Sequence, residues 1–114
     1  MTEVKINEVM CSEIKLSNGD KVYIRKEFKG SDKIAVSTIM SEYESGSMLK
    51  LLASVPALFM LFCSDIKKGD KSLPITEDYI TELGLEDYTK IEELVSQRGG
   101  EVINFTSTPK KKES

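Results

Sequence analysis

Residues 48–65 read "MLKLLASVPALFMLFCSD", and how this stretch is placed decides the fold of the whole chain. Its uninterrupted part, Met48 to Cys63, is 16 residues long. As a helix that spans about 24 Å, short of the roughly 30 Å hydrocarbon layer of a bilayer. Lys50 and Pro56 interrupt it, and Gly46, Ser47, Ser64 and Asp65 give no apolar extension, so a membrane span is excluded as a reading. On a helical wheel Met48, Leu52, Val55, Phe59 and Cys63 share one strip, and Lys50, Ser54, Ala57, Leu61 and Ser64 lie opposite. Even the weaker strip contains a leucine. A helix this apolar on nearly every side is either the centre of its own domain or half-covered at home and half-covered by a partner. A chain of this length rarely surrounds one helix completely, so Leu49, Phe59, Met60 and Phe62 are candidates for remaining accessible. Pro56, with no amide donor, is expected to kink the helix or split it.

The chain around that helix has 114 residues, enough for one domain that buries roughly two-thirds of its unfolded surface. A hydrophobic fraction of 39% with 31% charged residues is that of an ordinary soluble protein, and the net charge of −3 argues against general nucleic-acid binding. The start, "MTEVKINEVM", carries acids and no apolar core of a signal peptide, so an intracellular location is expected. Cys11 and Cys63 lack metal-site spacing and read as free, buried thiols.

"SEIKLSNGDKVYIRKEF", Ser12 to Phe28, is a hairpin signal. A two-residue turn at Asn18-Gly19 would pair Ile14 with Tyr23 and scatter the apolar face. A three-residue loop, Ser17-Asn18-Gly19, pairs Ile14 with Val22 and keeps the faces matched, with Gly19 left-handed. Val4 and Ile6 alternate and allow one more strand at the N-terminus. From Ser31-Asp32 a helix is expected, with Ile34, Ile39, Met40 and Tyr43 near a helical stripe, although Val36 to Ile39 also suit a strand. Residues 32–44 therefore stay open between the two.

"IKKGDKSLP" is turn chemistry, and it fails as a calcium loop: with Asp65 first, Lys67 and Gly69 stand at ligand positions and Thr76 replaces the closing glutamate. Thr76 is placed to cap a short acidic helix that stops at Gly84. A second helix runs from about Glu86 to Arg98 and is expected to end at Gly99-Gly100. Its neighbour "EVINFTS" reads as a late strand through Val102, Ile103 and Phe105, and the final "TPKKKES" as a solvated tail. Between Ile75 and Leu94 seven acids oppose one lysine, a charge of −6; from Lys21 to Lys33 five cations oppose two acids, a charge of +3. Such patches are either solvated faces or a device that steers partners and self-association.

The fold class that follows is α+β: an N-terminal β-hairpin or small antiparallel sheet packed on a mostly helical bundle, with a late C-terminal strand. Residues 1–106 form the single domain and 107–114 a disordered basic tail. With no histidine in the chain, no activated serine or cysteine and no glycine-rich phosphate loop, neither catalytic nor metal-binding residues are assigned, no cofactor is expected and an enzyme is not the reading.

The order of elements carries a resemblance. "KLSNGDKVYIRKEF", then "MLKLLASVPALFMLFC", then "LPITEDYITELGLEDYTKIEELV", with Asp87 opening the last helix, together resemble the tail assembly chaperones of long-tailed bacteriophages over roughly Ile14 to Val95. The resemblance implies a non-enzymatic protein of the host cytoplasm that binds the tape-measure protein, keeps it soluble and helps tail-tube protein subunits assemble around it. That family often makes a longer frameshifted product, of which this chain would be the short form. A homo-oligomer is compatible with it; nucleic acid and membrane are not expected partners. Leu52, Phe59, Met60 and Phe62 are the expected contact residues. Two other classes remain: an inhibitor of a host defence enzyme that acts through the acidic helices, and a structural tail or head-completion protein.

Overall fold

The structure, a computed structural model, describes residues 2–42 and 54–104. It is α+β, with a five-stranded antiparallel sheet in the order β1-β2-β3-β4-β5. Strand β1 (Thr2–Ile6), β2 (Val9–Lys15) and β3 (Lys21–Arg25) lead into helix α1 (Gly30–Glu42). Helix α2 (Val55–Phe62) is followed directly by β4 (Cys63–Lys68) and β5 (Lys71–Ser72), then by α3 (Glu77–Thr81) and α4 (Leu85–Asn104).

Apolar alternation sets the register of the first three strands. Ile14 lies opposite Val22, the pairing that a loop of Ser17-Asn18-Gly19 requires, and Gly19 has φ +94°. The Leu16 amide donates to the Asp20 carbonyl at 2.9 Å and closes that loop. Strand β1 joins through a tight turn whose central residues, Asn7 and Glu8, both have positive φ, as the right-handed twist of a two-residue hairpin demands. Ile14, Val22 and Ile66 form one row across three strands and enter the common core with Val36, Phe59, Phe62, Ile80, Ile91 and Val95. The row Glu13, Tyr23 and Asp65 faces the other way.

Residues 32–42 are helical. Asp32 explains the start of α1: its carboxylate accepts from the Lys29 amide at 2.7 Å, while the Asp32 amide donates to the Lys29 carbonyl at 2.9 Å, a reciprocal cap. Val36 is buried but Ile34 is 71% exposed, so the inward stripe of α1 is narrower than its apolar spacing suggests. Thr76 caps α3 as expected, its hydroxyl accepting from the Tyr79 amide at 3.2 Å.

Pro56 stands in the first turn of α2, where its missing amide costs nothing; the segment before Ser54, on which the expected kink or split falls, lies outside the described residues. Three expectations are corrected. Cys63 is not helical: it has φ −76° and ψ 128° and pairs with Ile24. The unpaired edge of β3 needs hydrogen-bond partners, and β4 supplies them, with Ser64 as one extra residue between the Tyr23 and Ile24 pairings. Gly99-Gly100 does not end α4, which continues to Asn104. For the same reason Val102 and Ile103 belong to a helix and not to a late strand; Phe105 lies outside the described residues. Two helical glycines cost about 1 kcal/mol each, but Val102 is buried beyond them and Arg98 anchors the turn before them. The Arg98 guanidinium donates to the Ser12 hydroxyl at 2.9 Å and the Arg25 carbonyl at 3.2 Å. Gly99 faces Leu58, whose Cδ1 would stand 3.4 Å from any added Cβ, so α2 and α4 approach closely there.

Candidate functional site

Helix α2 is placed by what its inner side meets. Phe59 stacks near-parallel on Tyr79, ring centroids 6.4 Å apart, and the Tyr79 hydroxyl donates to Asp20 at 2.7 Å. Phe62 meets Phe28 edge-on at 5.1 Å. Val55, Leu58, Phe59 and Phe62 are buried, while Met60 keeps 40% of its surface exposed and Ala57 and Leu61 are half-buried beside it. Of the three expected contact residues that are described, Met60 is therefore the one at the surface. Phe59 and Phe62 have no exposed area and would serve a partner only from beneath, as supports. Leu52 lies outside the described residues, as does the rest of the apolar stretch before Ser54.

A second surface feature lies where the end of β3, the start of α1 and the last turns of α4 converge. It is an open groove of about 430 Å³ lined by Lys26, Phe28, Lys29, Gly30, Lys33, Glu101 and Val102. Its floor is held from several sides. Phe62 supports Phe28, and the Arg25 guanidinium lies 5.3 Å from the centre of the Phe28 ring. Arg25 is fixed in turn by Asp32 at 2.7 Å and by donation to the Leu61 carbonyl at 3.2 Å. The Arg25 hydrogen bond holds the Asp32 carboxyl below its usual range. Lys26 pairs with Glu3, and Arg98 with Glu101 at 3.4 Å.

At the far end of α4, Asp87 turns inward. Its carboxylate accepts from the Ser17 hydroxyl at 2.7 Å and the Ser17 amide at 3.0 Å, and these bonds hold its pKa down. This clamps the tip of the β2–β3 hairpin to the first turn of α4. Asp87 is thus removed from the acidic exterior, a role that its place in a charged run does not reveal.

The thiols are poorly placed for chemistry. Burial pushes the Cys63 thiol up to about 12, so it is protonated at neutral pH and a weak nucleophile. Cys11 and Cys63 are buried and stand on the two strands flanking β3, a separation of about 9.5 Å, beyond the reach of a disulfide. Among the described residues no group of three or more cysteines and carboxylates could hold a metal ion, and no helix is long and apolar enough to cross a membrane.

The groove was not legible as a site in the chain. Its basic rim was visible in the run from Lys21 to Lys33, but its floor joins Phe28 to Val102, which lie far apart in sequence, and Val102 reads as a strand residue. Compared with protein-family models, with curated proteins and with solved structures, the chain has no match.

Proposed function

We propose that this chain is a non-enzymatic assembly chaperone of the kind that serves phage tails, acting in the host cytoplasm. It would hold the apolar tape-measure protein in solution and hand it to tail-tube subunits. The observation that carries the reading is the exposure of Met60, 40%, on a helix whose other apolar residues build the core. A holding protein needs an adaptable apolar strip for its client, and a thioether side chain with three rotatable bonds suits varied partners. It also needs a charged exterior to stay soluble once loaded, and Glu77, Asp78, Glu82, Glu86 and Glu93 on α3 and α4 are exposed. The likeness in order of elements to tail assembly chaperones supplies the client class.

The test is co-expression with the tape-measure protein of the same genome. That protein is expected to be soluble with this chain and to aggregate without it, and this chain is expected to be missing from purified particles. A tape-measure protein whose solubility ignores this chain, or stoichiometric retention of the chain in finished particles, overturns the proposal.

A further inference from the structure

The outer edge of β1 is complementary to itself, and we propose that two copies of this chain join there, β1 against β1 in antiparallel order, into one continuous sheet. Glu3 of each copy stands opposite Lys5 of the other, and Val4 meets Val4 on the two-fold axis.

The backbone of β1 is laid out for such a contact. Strand β2 pairs with its inner edge, and no described strand lies beyond its outer one. Which amides point outward follows from the register. The Lys26 amide donates to the Met10 carbonyl at 2.9 Å, so Met10 turns its backbone groups towards β3, and Lys5, which stands opposite Met10, is not hydrogen-bonded to β2. Alternation gives Glu3 the same state. The amides and carbonyls of Glu3 and Lys5 therefore face outward, spaced as an antiparallel ladder needs them.

Charge selects both the occupant and the register. Outward-facing residues must meet outward-facing residues, so two β1 strands can slip past each other only in steps of two. A slip one way sets Glu3 against Glu3, and a slip the other way sets Lys5 against Lys5. The register between them makes both charged pairs opposite in sign. Alone, Lys5 would guard the edge against pairing; with Glu3 on the same face, two residues before it, the lysine becomes half of a match to a second copy. Lys5 makes no ion pair among the described residues. Glu3 pairs with Lys26 of its own copy, and 51% of its side chain stays exposed for a second cation. Of the other described charges around this edge, Arg98 pairs with Glu101, Glu13 accepts from the Tyr23 hydroxyl on the opposite face of the sheet, and Glu8 stands in the turn beyond the paired stretch.

The seam has room for a second copy. Glu3 lies opposite Ser12, which Arg98 of α4 holds, so Glu3 and Lys5 are on the helical side of the sheet. Both are nevertheless exposed, and the helices do not overhang β1. On the other face Val4 and Ile6 are half-buried, and the pairing carries their apolar row across the axis. A two-fold axis perpendicular to the sheet keeps both helical layers on one side and uses each β1 once, so association stops at two copies.

Sedimentation velocity on the purified full chain, with no client, tests this separately from the chaperone reading. The mean mass is expected to rise with concentration from that of one chain to that of two and no further. Glu3→Lys and Lys5→Glu should each weaken association about tenfold or more, equivalent to about 1.4 kcal/mol, since each sets like charges together at both pairs. Mixed in equal amounts, the two variants should regain association as a one-to-one dimer, because one strand is then wholly cationic and the other wholly anionic at these positions; that rescue also shows both are folded. A wild-type mass independent of concentration overturns the proposal, as does association that survives both single variants, or a mixture that stays monomeric. A mass that climbs past two chains also overturns it, because a closed two-fold contact leaves no further β1 edge to bind.

Discussion

Helices α2 and α4 solve opposite problems. Helix α2 is apolar on almost every side and sits against the sheet, α3 and α4, so its neighbours must supply the cover. Helix α4 is amphipathic: Ile91, Leu94, Val95 and Val102 go inward, and charge goes outward. Where α4 turns a charged group inward it satisfies it fully, as with Asp87 on Ser17 and Arg98 on Ser12 and the Arg25 carbonyl. Where α2 turns an apolar group outward, at Met60, 40% of the side chain stays exposed. An exposed apolar side chain is thus more informative than a charged face, because solvent already satisfies the charge.

The largest effect expected within this comparison comes from the inner side of α2. Phe59→Ala should cost about 3–5 kcal/mol, by the loss of a fully buried ring and the cavity left beside Tyr79. Domains of this size are stable by about 5–15 kcal/mol, so urea unfolding should show a midpoint far below wild type, and an unchanged midpoint would deny the core role of this helix.

A smaller effect, with a pH signature, comes from the clamp at the start of α4. Asp87→Asn weakens the acceptance from Ser17 and should lower stability at neutral pH. The folded carboxyl titrates below the ordinary aspartate value of 3.8, so its contribution is complete above that value and is lost as acidification proceeds below it. The gap between wild type and variant, followed by thermal melting, should therefore close as pH falls through and below 3.8; a gap constant down to pH 2 would sharpen the role of Asp87 into one of shape alone.

The smallest effect should be a gain. Gly100 is exposed and helical, and nothing stands within 4 Å of an added Cβ. Gly100→Ala should stabilise by about 0.5–1 kcal/mol, and a loss would mean that the end of α4 needs a conformation only glycine supplies.

Much of this architecture is legible in the chain where the information is local. Ile14 and Val22 set the hairpin register because one apolar face excludes the alternative loop, and Thr76 marks the start of α3 because its hydroxyl serves an amide three residues away. Residues 32–42 suit helix or strand by composition alone, and the cap in which Asp32 closes on Lys29 favours the helix. Strands β4 and β5 were hidden, since "CSDIKKGDKS" has the composition of a turn and becomes strand only through the free edge of β3. Gly99-Gly100 misled for the same kind of reason: glycine is a local stop signal, and the packing of Gly99 on Leu58, Val102 on the core and Arg98 on the sheet outweighs it. The contact residues divide likewise. Phe59, Met60 and Phe62 are equivalent as apolar letters, and only the positions of Tyr79 and Phe28 separate the two that are buried from the one that is not.

If this chain holds a client, the exposed side of α2, at Met60, is the surface proposed to meet it. The most direct measurement is capture of the tape-measure protein by Met60→Asp, with thermal melting of the same preparation. Met60 is already partly in water, so the variant should melt close to wild type and lose the client. A Met60→Asp protein that stays folded and still holds the tape-measure protein would contradict the account.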